Sequence, residues 1–152
     1  MDKIVTDQAE GLRRLLARRP LRVVAVLGAH HGAGASTAAV NLCAGSCFHG
    51  KRAVVIDEHA TSESIHPRLA DLVNGRVLLD SNFFSPDDNR HAAILAASAD
   101  SVVGMSGAEQ LAVLDGSADI AYVDARLDEH GLFSPLALLA HDIVIVMDAD
   151  AA

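Results

Sequence analysis

The chain has 152 residues, of which 51% are hydrophobic and 21% charged, and its net charge is -8. This composition excludes a disordered chain, and the length suits one domain with one sizeable core. The acidic balance disfavours nucleic acid as a partner, because such binding depends mainly on Lys and Arg at phosphates. The sequence has neither an apolar run of membrane-spanning length nor a secretory signal, so we expect a cytoplasmic protein.

Residues 1–20 are predicted to form a helix that stands apart from the rest of the chain. Asp7 suits the N-cap, Glu10 follows three residues later as in a capping box, and Pro20 ends the helix. An apolar stripe at helical spacing consists of Ala9, Leu12, Leu15 and Leu16. The arginines near it form a local basic patch, which comprises Arg13, Arg14, Arg18, Arg19 and Arg22.

The rest of the chain alternates apolar runs of strand length with helical segments. The predicted strands are 21–28, 53–57, 101–105, 118–124 and 142–148. The predicted helices are 36–49, capped by Gly50, then 63–73, 85–97, 108–114 and 135–140, while 77–84 is ambiguous between helix and strand. This alternation is typical of right-handed βαβ units. The fold class is therefore predicted to be α/β, with a doubly wound, mostly parallel sheet over residues 21–152.

Three features fall at the carboxyl ends of predicted strands, where open α/β sheets bind ligands. A glycine-rich loop, Gly28-Ala-His-His-Gly-Ala-Gly-Ala-Ser-Thr37, joins the first strand to the first helix, and Asp57 and Asp124 end two later strands. Glycines let backbone N–H groups approach an anion, and such acids commonly hold Mg²⁺. The glycines alone would also suit simple packing, but with the two acids in register they indicate an ancestral nucleotide site.

At these positions the chain resembles the MinD/ParA class of P-loop NTPases. The phosphate loop of that class, K-G-G-x-G-K-[ST]-T followed by A-x-N-L, matches 30–37 and 39–42. Its later strand landmarks match 54–59, 119–124 and 141–146. The resemblance implies a MinD-like fold and a vestigial nucleotide-binding loop comprising Gly28, His30, His31, Gly32, Gly34, Ala35, Ser36 and Thr37.

Within that class the N-terminal segment resembles the FlhG (FleN, YlxH) proteins. Residues 7–13, Asp-Gln-Ala-Glu-Gly-Leu-Arg, match the D-Q-A-x-x-L-R element that precedes the MinD-like domain in that family. The resemblance implies a regulator of flagellar number and placement that binds the SRP-type GTPase FlhF and stimulates its GTP hydrolysis. The implied partner-binding residues are Asp7, Gln8, Ala9, Leu12 and Arg13. The alternative for the arginines of this segment is a solvated helix face.

The departures from the family decide the expected mechanism. The lysine that reaches the nucleotide phosphates is Ala35 here, a loss that should weaken nucleotide binding about 10- to 100-fold. His30 replaces the signature lysine, His31 a loop glycine, and His59 the second acid of the switch segment. Because phosphoryl transfer depends on positioning and charge, we expect negligible ATPase activity. Ser36, Asp57 and Asp124 remain as Mg²⁺ ligands, so the cofactor is either none or weakly bound ATP or ADP with Mg²⁺.

Two other functions stay open, a weak MinD/ParA-type ATPase switch and an accessory role in polysaccharide (cellulose) export. The domain is also a candidate homodimerisation unit, and ATP-dependent dimerisation would support the switch. Family members usually continue well past the last matched strand, into a region that often ends in a membrane-targeting helix. We therefore expect a fragment or a shortened homologue that does not bind membranes.

Two further groups of residues invite a metal or redox hypothesis. Cys43 and Cys47 sit four residues apart inside a predicted helix, and the chain has eight histidines, of which His30 and His31 are adjacent. A metal or redox pair would need more ligands or closer spacing. We therefore expect small packed cysteines and solvated histidines.

Overall fold

The computed structural model describes residues 20–79, 93–97 and 104–149. The elements in chain order are β1 (Arg22–Gly28), α1 (Ala35–Phe48), β2 (Ala53–Asp57), α2 (Leu69–Val73), β3 (Ala93–Ala96), α3 (Gly107–Ala112), β4 (Ile120–Asp124), a 3₁₀ turn (Ala137–Leu139) and β5 (Asp142–Val146). The strands β1, β2, β4 and β5 lie within the apolar runs for which strands were predicted.

The five strands form one sheet in the order β3-β2-β4-β1-β5, and every neighbouring pair is parallel. The prediction of an α/β fold with a parallel sheet is confirmed. Since β1 lies between β4 and β5, the loop that follows β1 emerges beside the ends of both strands. All carboxyl ends share one edge of the sheet, which brings Gly28, Asp57 and Asp124 to that edge.

Successive strand residues point to opposite sides of the sheet, and both sides carry apolar residues. Helices therefore cover both faces. On one face α1 packs through Ala39 and Cys43 against Val26, Val55 and Tyr122. On the other face the larger core cluster joins strand residues to α2, α3 and the 3₁₀ turn. Its members from the helices and the turn are Leu69, Leu72, Leu111 and Ala137. A ligand at the carboxyl edge can therefore lie on the α1 face or on the α2/α3 face.

The two cysteines occupy packed positions on α1. Cys43 is fully buried and Cys47 is partly buried, and both are free thiols. Burial, together with the neighbouring Cys47, raises the pKa of Cys43 to about 12. Cys43 therefore stays a neutral thiol at physiological pH and behaves as a small apolar side chain. No group of histidines, cysteines and acids suited to a metal ion occurs within residues 20–79, 93–97 and 104–149.

The helix predicted over 63–73 is shorter than expected, since α2 spans only Leu69–Val73. Proline disfavours helical backbone at the residue before it, and Pro67 follows His66 in this stretch. The carbonyl of Pro67 instead accepts a hydrogen bond from the backbone N–H of Ala96 at 2.8 Å, and Arg68 forms a parallel bridge with Ala96. Residues before α2 therefore extend the edge of the sheet at β3.

The prediction of a helix from Ser85 to Ala97 is wrong where the structure describes it. Residues 93–96 form β3, which pairs with β2 from Val54 opposite Ala93 to Asp57 opposite Ala96. Short apolar runs suit a buried strand and a buried helix equally, so the partner strand decides. The strand predicted over 101–105 is not found at Gly104 and Met105, and residues 85–92 and 101–103 lie outside the described residues.

Two short helical segments were predicted close to their observed places. The helix α3 begins at Gly107, after a capping box in which the backbone N–H groups of Ser106 and Glu109 each donate to the other residue's side chain. The stretch 135–140 contains only the 3₁₀ turn. Gly107 holds α3 close to this stretch, because an added Cβ would lie 2.4 Å from the carbonyl oxygen of Pro135.

The predicted helix over residues 1–20 lies outside the described residues, apart from Pro20. The element Asp7, Gln8, Ala9, Leu12 and Arg13 lies there too, as does the division of the chain at residue 20. Among the helices that the structure describes, none is both long and apolar enough to cross a membrane.

Candidate functional site

The loop between β1 and α1 turns at two glycines directly before the N-terminus of a helix. Gly32 and Gly34 have φ angles of 85° and 91°, which side-chain-bearing residues rarely adopt. Gly34 is the N-cap of α1, and no side chain caps this helix end or adds a negative charge to its first turn. The N-terminal N–H groups of α1, a helix of 14 residues, are therefore not engaged by a capping side chain.

Close packing also constrains the start of the loop. A Cβ added at Gly28 would lie 3.0 Å from the carbonyl oxygen of His30 and 3.4 Å from the Cβ of Ala33. The loop is joined to the sheet edge by the backbone N–H of Ala29, which donates to the carbonyl of Val146 in β5 at 2.8 Å. The predicted residues from Gly28 to Thr37 thus form one compact turn at the carboxyl edge.

The histidines that replace family residues have defined surroundings in this turn. The Nε2 atom of His30 lies 3.2 Å from Oδ2 of Asp148, just after β5, and its Nδ1 lies 3.0 Å from the carbonyl oxygen of His31. His31 is exposed. His30 therefore contacts an acid of its own chain, and no lysine or arginine lies within residues 28–37.

The two strand-end acids lie side by side. Asp57 in β2 is the register partner of Asp124 in β4, and Asp124 is also the partner of Val26 in β1. Partners in parallel strands point to the same face, so both acids lie on the face that α1 covers. Ser36, at the start of α1, is close enough to act on the carboxyl of Asp124. The structure thus brings together the three residues predicted to hold Mg²⁺.

Asp124 is the most deeply buried acid of this group. It is 3% exposed, and its Oδ1 atom has no hydrogen-bond partner among the described residues. Burial raises the pKa of Asp124 above its ordinary value, while the Ser36 hydroxyl and the charge of His59 partly offset this rise. The nearest cation candidate is His59, whose Nε2 lies 3.7 Å from Oδ1 and 3.3 Å from the carbonyl oxygen of Ala125. An unpartnered buried carboxylate oxygen fits a role as ligand to a cation.

Asp124→Asn should stabilise the folded protein at pH 7, by about 1–2 kcal/mol, because burial and the neighbouring Asp57 disfavour the charged carboxylate by more than Ser36 and His59 offset. The pKa of Asp124 is higher in the folded protein than in the unfolded chain. Its contribution to the free energy of unfolding is therefore complete below its ordinary pKa and is lost as the pH rises through its folded-state pKa. The gain should therefore shrink as the pH falls. Urea unfolding of both proteins at several pH values between 4 and 8 would measure the difference in their free energies of unfolding. The free energy should fall by about 1–3 kcal/mol for each mole per litre of urea.

Asp119→Asn is the matched control, because the same substitution should act in the opposite direction. The Arg52 guanidinium, with Nη2 at 2.9 Å from Oδ1, lowers the pKa of Asp119, which therefore stabilises the fold above its ordinary pKa. Its loss should cost stability at pH 7 and progressively less in acid. A destabilised Asp124→Asn at pH 7 would contradict the account of Asp124 as a carboxylate whose burial disfavours its charge.

A cleft of about 620 Å³ lies on the other face, at the same edge of the sheet. Glu58 bridges its walls, because its Oε2 accepts from the backbone N–H of Arg126 at 2.9 Å and its Oε1 accepts from the Ser134 hydroxyl. Gln110 also lines the cleft and is almost fully buried. Sequence reasoning missed this bridge, because no pattern in the sequence links Glu58 to Ser134, 76 residues further along the chain.

No family model, no curated protein and no solved structure matches this chain. The resemblance to MinD/ParA proteins therefore depends on the sequence motifs, and what the structure adds is the α/β fold and the assembly of loop and acids at one edge.

Proposed function

We propose that this protein is a binding regulator built on a MinD-like P-loop domain whose nucleotide site has degenerated. The observation that carries this proposal is the chemistry of the loop. Its backbone turns at Gly32 and Gly34, both at positive φ, directly before α1, and a helix N-terminus of this kind suits an anion. The position of the phosphate-binding lysine holds Ala35, and the side chains around the turn include the acids Asp124 and Asp148.

The charges around the loop support the loss of ATP hydrolysis. Phosphates bring negative charge, and in this protein they would approach acids without a lysine or arginine from residues 28–37. His30 is a weak substitute for the lysine, because its ring already contacts the acid Asp148. The domain then serves as a scaffold, and the activity belongs to the N-terminal element.

The proposed partner is an SRP-type GTPase of the FlhF kind, and the proposed pathway is control of flagellar number and placement. The support is the match of residues 7–13 to the D-Q-A-x-x-L-R element directly before the first strand. A glutamine can order an attacking water and an arginine can neutralise charge that develops on the phosphates, as in other GTPases. Gln8 and Arg13 are assigned these roles, and Leu12 is assigned the apolar contact.

Gln8→Ala and Arg13→Ala should each reduce the stimulation of GTP hydrolysis by more than about tenfold, because each removes a group that acts at the transition state. The measurement is phosphate release by an FlhF-type GTPase with increasing amounts of each protein. The stimulation should not require ATP.

Arg18→Ala is the matched control, since it removes the same side chain from the same segment but outside the element. It should leave stimulation close to that of the unchanged protein. If Gln8→Ala and Arg13→Ala stimulate hydrolysis as well as the unchanged protein does, or if the unchanged protein does not stimulate it, the proposal fails.

A weak Mg²⁺-dependent nucleotide switch is the second candidate, and a specific arrangement favours it. Ser36, Asp57 and the unpartnered Oδ1 of Asp124 lie together beside the loop. Hydroxyl and carboxylate oxygens are the ligands that Mg²⁺ prefers, with phosphate oxygens completing its shell. ATP-dependent dimerisation of the unchanged protein would support this candidate over the first.

A further inference from the structure

The cleft on the α2/α3 face lies at the carboxyl ends of three neighbouring strands. Glu58 directly follows β2, Ala97 directly follows β3, and Arg126 comes two residues after β4. The backbone N–H of Ala97 donates to the carbonyl of Asp57 at 2.9 Å, which holds the ends of β2 and β3 together. Open α/β sheets bind ligands at this end of their strands, and a volume of about 620 Å³ lies within the range of small-molecule sites.

The floor of the cleft is buried and its rim is exposed. Ala97, Gln110 and Leu136 line the cleft although they are almost fully buried, so they form its floor. Gly107 allows α3, which carries Gln110, to lie against the backbone of Pro135, where a side chain at position 107 would collide. The lining residues between 126 and 132 are exposed and form the rim.

Gln110 brings an unpaired hydrogen-bond acceptor to this floor. Its Nε2 donates to the carbonyl oxygen of Met105 at 3.2 Å, and this bond assigns the amide orientation, because a carbonyl can only accept. Its Oε1 is buried and has no hydrogen-bond partner among the described residues. A buried polar atom without a partner costs stability unless a water or a ligand donates to it. The floor therefore suits a ligand with a hydrogen-bond donor.

Glu58 holds a carboxylate in a fixed position at the same cleft. Its Oε2 accepts from the backbone N–H of Arg126 at 2.9 Å, and its Oε1 accepts from the Ser134 hydroxyl. Ser134 in turn accepts from the backbone N–H of Ala137 at 3.0 Å, so the bridge is tied to the 3₁₀ turn. The two donors to Glu58 are uncharged groups, which orient the carboxylate without neutralising its charge. A carboxylate oriented in advance suits a cationic donor.

The charged side chains that line the cleft also favour a cation. Glu58, Asp128 and Glu129 are acids, whereas Arg126 carries the one permanent positive charge among the described lining residues. The Nε2 of His130 lies 3.6 Å from Oε1 of Glu129, so the imidazole faces an acid already. An anionic ligand would meet more negative than positive charge, and it would have no donor for the floor.

The rest of the lining is mainly apolar. The apolar side chains above the floor belong to Leu127, Leu132, Phe133 and Pro135. Small-molecule sites combine apolar walls, which bury the body of the ligand, with a few polar groups that fix its orientation. Here the polar groups at the base are two acceptors, Oε1 of Gln110 and the carboxylate of Glu58.

We propose that this cleft binds a small organic cation, an ammonium group carried on an apolar body. The ammonium group is permanently rich in donors, so its N–H groups serve the oxygen of Gln110 and its charge is balanced by Glu58. The apolar body lies against Phe133 and the leucines of the rim. The cleft and the loop with Ser36 lie on opposite faces of the sheet, so this site goes beyond the function proposed above and either proposal can fail alone.

The test is a titration of the full chain, labelled with ¹⁵N, followed by nuclear magnetic resonance. The probes are 2-phenylethylamine and tryptamine, with 2-phenylethanol as the neutral analogue and 3-phenylpropanoate as the anion. Both amines should bind with a Kd of about 1 mM or less, which suits molecules of so few atoms. The alcohol and the anion should bind at least about tenfold more weakly, because each lacks the charged donor. The signals that shift should be the backbone amides of Glu58 and Arg126 and the side-chain amide of Gln110, whereas residues 30–36 should not respond.

Two variants separate the charge from the shape of the cleft. Glu58→Gln can keep the bridge, since an amide accepts from the N–H of Arg126 and donates to the Ser134 oxygen. It should weaken both amines about tenfold or more and leave 2-phenylethanol unchanged, because only the charge is lost. Gln110→Met removes the acceptor at similar size and should also weaken the amines. Glu63→Gln, which neutralises an exposed acid outside the lining, is the matched control and should change nothing.

Three results would overturn the inference. The first is the absence of shifts at the cleft with either amine at about 10 mM, which would leave water as the only occupant. The second is binding of 3-phenylpropanoate as tight as that of the amines. The third is undiminished binding of the amines by Glu58→Gln, or an equal loss for the amines and the alcohol, which would indicate a merely structural role. If a variant unfolds, the order of the four probes on the unchanged protein decides.

Discussion

Ile56→Ala should lower the free energy of unfolding by about 2–5 kcal/mol, which is a large part of the stability of an ordinary domain. Ile56 is fully buried in the larger core cluster and lies in β2 between Leu95 of β3 and Val123 of β4. Truncation to alanine removes apolar contacts and leaves a cavity that the sheet cannot close, because backbone hydrogen bonds hold the three strands at a fixed spacing. Urea unfolding followed by circular dichroism would measure the loss.

Ile65→Ala provides the matched control, since it is the same substitution at a side chain that is 93% exposed. It should change the free energy of unfolding by no more than about 0.5 kcal/mol. Equal losses for the two variants would mean that β2 does not form the centre of the core, and the position of Asp57 and Glu58 at its end would then also be in doubt.

The parts of the fold that could be predicted from the sequence are those in which local pattern and tertiary burial agree. Continuous β-branched runs such as 22–28 and 142–146 suit only a strand buried on at least one face. The helix predicted over 85–97 is wrong at residues 93–96, because Ala-Ile-Leu-Ala fits a helix as well as a strand. What makes it a strand is its pairing with β2, which is a contact between segments distant in sequence. The helix predicted over 63–73 begins only at Leu69, because Pro67 disfavours helical backbone at the residue before it.

The candidate site also has parts that the sequence predicts and parts that it does not. The glycines of the loop and the acids at strand ends are local signals, so the meeting of Asp57 and Asp124 at one edge followed from a parallel sheet. Contacts between side chains far apart in sequence gave no such signal. The pairing of His30 with Asp148 and the bridge from Glu58 to Ser134 each depend on how exposed loops fold over the sheet edge. Sequence periodicity does not record these contacts.

Ala35→Lys should raise the affinity for Mg²⁺-ATP about 10- to 100-fold, which corresponds to the 1.5–3 kcal/mol of one hydrogen bond from a charged donor. Ala35 is the first residue of α1, and its Cβ would lie 3.6 Å from a Cβ at Gly28, so its side chain begins at the loop itself. The other features of the proposed site are Gly32 and Gly34 at positive φ and Ser36 next to Asp124. Titration calorimetry with ATP and ADP would compare the variant with the unchanged protein, for which we expect no measurable heat of binding.

Ala44→Lys adds the same charge to the same helix, nine residues away and about 13 Å further along its axis, and it should not restore binding. Binding recovered only by Ala35→Lys would mean that the missing lysine alone silences an otherwise intact nucleotide site. Micromolar binding by the unchanged protein would mean that another group compensates for Ala35, and the nucleotide switch would then become the leading function. Binding by none of the proteins would place the defect in the loop, where His31 stands in the position of a glycine and His30 contacts Asp148.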